Sequence, residues 1–223
     1  LLVKIISDSL CMSSYKAATQ GSDHKCVPND VAENPIIVGH EFCGELVEVG
    51  AKWKDQFKPG DRFSIQPAMN DPEDPYAAPG YSFQNIGGDA TYVVIPSIVM
   101  ELGSLLPYKG ESFYHGSLAE PVSCVIAGYH VNYHAEPGKY VHNMGIVAGG
   151  KMALLAGVGP MGLGALDYAL HADRKPGLLA VAGIDDTPLA RPRRVSPWGE
   201  TAKHGVGRIH PKPGGVANPV GTS

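Results

Sequence analysis

Long basic runs are missing from this 223-residue chain. Its 18 Lys and Arg against 22 Asp and Glu give a formal net charge of −4, and only Arg191, Arg193 and Arg194 sit close together. A polyanion such as nucleic acid is therefore not an expected partner. No apolar run reaches the length of a bilayer span, and the N-terminus has no charged start followed by an apolar stretch and a small-residue cleavage site. No membrane partner is expected, and the expected location is cytoplasmic. Cysteine is scarce as well. Cys11, Cys26, Cys43 and Cys124 form no CxxC pair, which excludes a disulfide framework and a four-cysteine structural zinc. An initial Met is also absent, and the chain opens inside an apolar alternation, so some N-terminal sequence is expected to precede it.

What is present is an ordinary hydrophobic fraction of 43%, enough to bury a core. Residues 1–6 mix β-branched and apolar side chains as a buried strand does, and Ser7-Asp8-Ser9 ends that run, so Cys11 is expected at a strand end or in a loop. Residues 17–34 are polar and turn-rich and read as a surface excursion. Residues 45–49 alternate with period two, and the turn Phe57-Lys58-Pro59-Gly60-Asp61-Arg62 feeds a strand over 63–66. An irregular Pro- and Gly-rich segment, 67–88, leads to another strand over 91–95. Together these predict a β-rich, barrel-like domain up to about residue 115. The pattern then changes. A helix is predicted over 117–133, a buried strand over 151–156, a glycine turn, a helix over 163–172 and a second strand over 178–182, which together make a parallel crossover unit. Beyond Asp186, interleaved Pro and Gly leave little room for helix or strand, and a dinucleotide-binding sheet lacks its second half.

Two groups of residues carry chemistry. Gly39-His40-Glu41-Phe42-Cys43-Gly44 sets an imidazole and a carboxylate side by side between glycines, with Cys11 upstream and Glu120 downstream. Thiolate, imidazole and carboxylate are the donor set of catalytic zinc. An isolated His is more often structural, which is the reading for His24, His115, His130, His134, His142, His171, His204 and His210, and Glu120 also suits the first turn of a helix. Cys43 and Cys124 read as non-liganding thiols. The second group is Gly157, Gly159, Pro160, Met161 and Gly162, a GxGxxG turn after a strand and before a helix, where backbone amides can meet a pyrophosphate. Asp185, or Asp186, would hold the ribose at the end of the next strand. Should Gly183 fall there instead, room remains for a 2′-phosphate, so NAD and NADP both stay open.

GHEFCGELVEVG resembles the zinc signature of medium-chain dehydrogenases, PGDRF their turn into a strand, and GGDATYVVIP their glycine-rich lead into another. The segments SDSLCMSSYKAA, QPAM, GYSF, LAEPVSCVIAGYHVNYH and LLAGVGPMGLGALDYA are similar to sugar-phosphate members of the sorbitol dehydrogenase branch. The resemblance covers about residues 1–186; GETAKHGV and PKPGGVANPVG beyond it look like displaced remnants. It implies an α/β protein: a GroES-like β-barrel catalytic domain over 1–118, a linking helix and the first half of a Rossmann domain over 119–186, and an irregular remnant over 187–223. It further implies one catalytic zinc held by Cys11, His40 and either Glu41 or Glu120, with no structural zinc. NAD or NADP as cofactor and a sugar-phosphate or polyol substrate follow, as does a homo-oligomer for the full-length family. Ser13 matches the hydroxyl that passes the substrate proton. Ser14 stands where the family usually has Asp, and Lys16 where it has the relay His, so Lys16 is either part of another proton exit or a cation for phosphate. Two alternatives stay open: a zinc-independent reductase of the same superfamily, and an inactive fragment that binds zinc but no nucleotide.

Overall fold

The computed structural model of the chain describes residues 1–155 and 157–182. Gly183, Asp185, Asp186 and the expected irregular region 187–223 lie outside them. The chain divides into two compact units, Leu1–Glu120 and Pro121–Ser223.

The first unit is organised by strand β1 (Leu2–Asp8), followed by helix α1 (Met12–Gln20), β2 (Phe42–Glu48), β3 (Arg62–Ile65), β4 (Tyr92–Val94), α2 (Ser97–Glu101), β5 (Leu105–Pro107) and α3 (Phe113–Ser117). The strands form one antiparallel sheet in the order β4-β1-β2-β3-β5. Its buried face is apolar because the inward residues Val3, Leu46, Phe63, Ile65 and Val93 meet Phe42, Ile86, Ile95 and Val99 in one core. Phe42 and Phe63 pack edge to face at 6.1 Å, the arrangement that the ring quadrupoles favour. The turn before β3 closes as Pro59-Gly60 predicts. Gly60 takes φ +85° and donates its amide to Leu46 O at 2.8 Å, while Asp61 accepts from the Lys58 amide at 2.9 Å.

Helix α1 corrects the reading of residues 17–34 as a surface excursion from its start, since Ala17 to Gln20 are helical. Cys11 is its N-cap, with Sγ accepting the Ser13 amide at 3.4 Å, and Gly21 at φ +55° ends it. Only Ser14 and Ala17 turn inward, so the helix has almost no apolar stripe to reveal it.

Helix α4 (Ala119–Val131) begins in the last residues of the first unit. It is the helix predicted over 117–133, shortened by two residues at each end; the short α3 before it, capped by Leu118, lies in the stretch read as β-rich. A hairpin follows, β6 (Tyr133–Ala135) with β7 (His142–Met144), and then β8 (Lys151–Leu154), α5 (Pro160–His171) and β9 (Leu178–Val181). β8 and β9 are parallel and in register from Lys151↔Leu178 to Leu154↔Val181. Leu166 and Ala169 of α5 pack on Leu179 and Val181, with Val125 and Tyr129 of α4 completing this core. The order strand, helix, strand is the one that the pattern predicts, but β8 is exposed or half-buried along its length rather than buried, because among the described residues only β9 pairs with it. Among the described residues, no helix is long and apolar enough to cross a membrane.

Candidate metal centre

Strand register brings the donors together. Asp8 at the end of β1 pairs with Phe42 at the start of β2, so the residues that follow β1 and those that precede β2 lie at the same end of the sheet. Ser9 donates its amide to Glu41 O at 3.1 Å across this gap, and its hydroxyl donates to Glu41 Oε2. Cys11, His40 and Glu41 each turn a ligand atom into one cluster, with those atoms all within 4.8 Å of one another. His40 and Glu41 are buried and Cys11 is half-buried.

The His40 ring is held on both nitrogens. Nδ1 lies 3.1 Å from Ser14 Oγ; Nε2 lies 3.1 Å from the Tyr81 hydroxyl and 3.9 Å from Glu41 Oε1. Burial lowers the His40 pKa from its ordinary value, against the opposing pull of Glu41, which favours the neutral imidazole that a metal requires. The Tyr81 ring packs against His40 at 4.6 Å and stacks on His24 at 5.7 Å. Burial raises the Tyr81 pKa, so its hydroxyl stays a neutral donor; the Ser13 side chain offers it a hydrogen bond, and Cys11 and Glu120 act on it electrostatically.

Two glycines shape the backbone here. Gly39 has φ +95°, and a Cβ on it would meet Asp8 Oδ2 at 2.5 Å; Gly80 has φ +78°, and a Cβ on it would meet Gly39 O at 2.0 Å. The loop carrying Tyr81 therefore lies directly on the backbone that presents His40.

Of the residues singled out from sequence, Cys11, His40 and Glu41 converge. Glu120, half-buried in the first turn of α4, is placed near the cluster through its effect on Tyr81. Ser13 reaches Tyr81, whereas Lys16 is exposed on α1, one turn beyond Ser13. Ser14 and Tyr81 were not expected at the centre. Ser14 is three residues from the capping Cys11 and so shares its side of the helix; Tyr81 follows Gly80 in a segment without periodicity, and only the positive φ needed there hints at its position. The donor set of thiol, imidazole and carboxylate fits a catalytic zinc, and a hydrogen-bond partner on the outer imidazole nitrogen, here a hydroxyl, is the usual companion of such a ligand.

Asp8 sits behind this centre, its carboxyl against Gly39 and Gly88. Neither oxygen makes a well-formed hydrogen bond, although the Asp89 carboxyl and the amides of Ser9 and Glu41 are near enough to act on it. Burial first, and Asp89 second, raise its pKa to about 7. The unfolded chain holds the same carboxyl near its ordinary value of about 4, so between about pH 4 and about pH 7 the native state binds more protons and stability falls as pH rises. Urea midpoints are expected to decline from about pH 4 to about pH 7, and Asp8→Asn to flatten that decline. Parallel curves for the two proteins would rule Asp8 out as its source.

In the second unit, the glycine turn is as close-packed as its role requires. A Cβ on Gly162 would lie 2.3 Å from the Gly157 carbonyl carbon, while Gly159, the N-cap of α5, faces open space and supplies no side-chain cap. Pro160 stands in the first turn and Met161 is exposed. A helix N-terminus without a side-chain cap is one that suits an anion. Asp185 lies outside the described residues.

Residues 1–103 match the alcohol dehydrogenase GroES-like domain. Over 197 residues the chain is 51% identical to L-sorbose 1-phosphate reductase of Klebsiella pneumoniae, a match that covers 88% of this chain and 48% of that protein. The chain's first 103 residues are thus an alcohol dehydrogenase GroES-like domain. Another relative, mannitol-1-phosphate 5-dehydrogenase of Aliivibrio fischeri, is 49% identical over 210 residues, covering 94% of this chain and 49% of its own. The chain spans about half the length of the curated relatives it matches. A protein of Sinorhizobium meliloti, assigned to the zinc-binding dehydrogenases and crystallised with NADP, superposes with a TM-score of 0.64 at 23% identity, over 88% of this chain and 52% of that one. That likeness carries the dehydrogenase fold, and the resemblance read from the motifs holds.

Proposed function

We propose that this chain carries the catalytic half of a zinc-dependent oxidoreductase that transfers a hydride between NAD(P)H and a ketose phosphate, reducing L-sorbose 1-phosphate to D-glucitol 6-phosphate. The observation that carries the reading is the convergence of Cys11, His40 and Glu41 ligand atoms within 4.8 Å in a mostly buried setting. The 51% identity to a reductase of that name supports the substrate class.

Cys11 and His40 would hold zinc together with Glu41, which lies in the cluster, and Glu120 stands as the second carboxylate near by. Zinc in such a site supplies Lewis acidity to a carbonyl oxygen. A nicotinamide cofactor supplies the hydride, and the α5 N-terminus, with Gly157, Gly159 and Gly162 admitting a pyrophosphate, is where this chain would hold it. Asp185 would contact the ribose. Once the carbonyl carbon has accepted hydride, its oxygen needs one proton. Ser13 can deliver it from the first turn of α1, with the Tyr81 hydroxyl as the hydrogen-bond partner that aims the serine. Lys16, exposed one turn along the same helix, would serve as a cation for the substrate phosphate rather than as a buried relay.

The test combines metal analysis of the purified chain, nucleotide fluorescence titration, and assays of L-sorbose 1-phosphate, fructose 6-phosphate and free sorbitol with NAD(H) and NADP(H). The expected result is stoichiometric zinc, a response to one nucleotide, and turnover of the phosphorylated ketose in preference to the free polyol. Purified protein without zinc would overturn the reading in favour of a zinc-independent member of the superfamily.

A further inference from the structure

A histidine can give only one nitrogen to a metal, and which one is settled by what the other nitrogen bonds. In this protein the two nitrogens of His40 face different surroundings. Nε2 looks toward Glu41 Oε1 at 3.9 Å and the Tyr81 hydroxyl at 3.1 Å; Nδ1 meets Ser14 Oγ at 3.1 Å. Ser14 is itself buried, so this contact is sheltered from competing water. The ring has little freedom to turn over, since Tyr81 packs on it and the backbone beneath it is wedged between Gly80 and Gly88.

A serine hydroxyl can donate or accept, and the two choices have opposite consequences. If Ser14 donates to Nδ1, the proton of a neutral imidazole sits on Nε2 and blocks the lone pair that faces Glu41. If Nδ1–H donates to Ser14 Oγ, that lone pair is left to accept, which suits the neutral Tyr81 hydroxyl 3.1 Å away and equally a metal in its place. We propose that Ser14 is the positioning residue of His40: its hydroxyl accepts the Nδ1 proton and so holds the imidazole in the tautomer whose Nε2 lone pair faces Glu41 and Tyr81. Helix α1 then contributes twice to one centre, with the Cys11 thiol at its cap and, one turn on, the hydroxyl that orients the second donor. Any movement of the helix carries both.

This inference rests on the zinc reading above, and its test separates the two. Ser14→Thr keeps the hydroxyl, and Ser14→Val has the shape of Thr without it. Zinc affinity is measured on the full chain by competition with a chromophoric chelator, and the His40 ring nitrogens are followed by 15N NMR on the same samples. The expected result is that Ser14→Thr stays within about twofold of the parent, while Ser14→Val weakens zinc about 10- to 100-fold, the usual effect of losing such an outer partner. The His40 signals should report a protonated Nδ1 in the parent and the Thr protein, and a shift toward protonated Nε2 in the Val protein. A Val protein that binds zinc as the parent does, with Nδ1 still protonated, would overturn the role of Ser14 and leave the zinc reading standing. A parent chain that takes up no zinc would overturn both. Should Ser14→Val fail to fold, Ser14→Ala, which adds no volume, makes the same comparison.

Discussion

Replacing Cys11 by Ser, or His40 by Ala, is expected to strip stoichiometric zinc from the purified protein and to abolish ketose phosphate reduction with it. The loss in metal affinity should exceed about a hundredfold, because residues that only support a ligand already account for about 10- to 100-fold. Cys11 is suited to the role in a way that Cys43 is not. The Cys11 sulfur caps α1 and lies among the donors, whereas the Cys43 thiol is buried, bonds to Phe113 O at 2.8 Å, and has its pKa raised to about 11 by burial, so it stays protonated. Chelator competition and the hydride-transfer assay, read on the same preparation, check the expectation. An active Cys11→Ser protein free of metal would sink the zinc mechanism. Glu41→Gln and Glu120→Gln in the same assay show which carboxylate the metal uses: the ligand should behave as Cys11 does, and the other should affect turnover more than metal content.

Gly44→Ala is expected to give the largest loss of stability, about 3 kcal/mol, from the addition of one methyl group. Gly44 is opposite Ile5 in the β1–β2 pair, and a Cβ there would lie 2.0 Å from the Lys4 carbonyl oxygen and 2.9 Å from its carbon. Both are backbone atoms of the neighbouring strand, so no rotamer change relieves the overlap and the ladder itself must open. The same pair of strands aligns Cys11 with His40 and Glu41, and the substitution should weaken zinc retention as well. Urea unfolding checks it: a lower midpoint at unchanged slope is the expected result, and a midpoint matching the parent would show that the sheet yields more easily than its geometry implies.

What the sequence reveals of the fold follows the strength of its periodic signals. The alternation over 45–49, the Pro59-Gly60 turn and the glycine turn at 157–162 are local patterns with local physical causes, and the structure has a strand or turn at each. Helix α1 left no such trace. It is short, its cap is a thiol rather than one of the preferred Ser, Thr, Asp or Asn side chains, and only Ser14 and Ala17 are buried. The short α3 likewise left none, in a stretch read as β-rich. At the candidate centre, the motif Gly39-His40-Glu41 is readable because its glycines and donors are adjacent. Ser14 and Tyr81 are not, because each meets His40 through a contact between segments far apart in the sequence. Serine is too common a residue to mark such a contact in advance, and the segment around Tyr81 has no period from which its direction could be read.

The centre is fastened mainly by main chain. Gly39 O accepts from the Gly88 amide at 2.8 Å, Val38 O accepts from the Asp89 amide at 3.0 Å, and Gly80 lies against Gly39 O with no space for a side chain between them. Apart from the glycines, these fastenings do not depend on which side chains the segments carry. The long irregular segment between β3 and β4 can therefore exchange its exposed residues without moving the backbone that presents His40 and Glu41, so its surface and the metal centre can change independently.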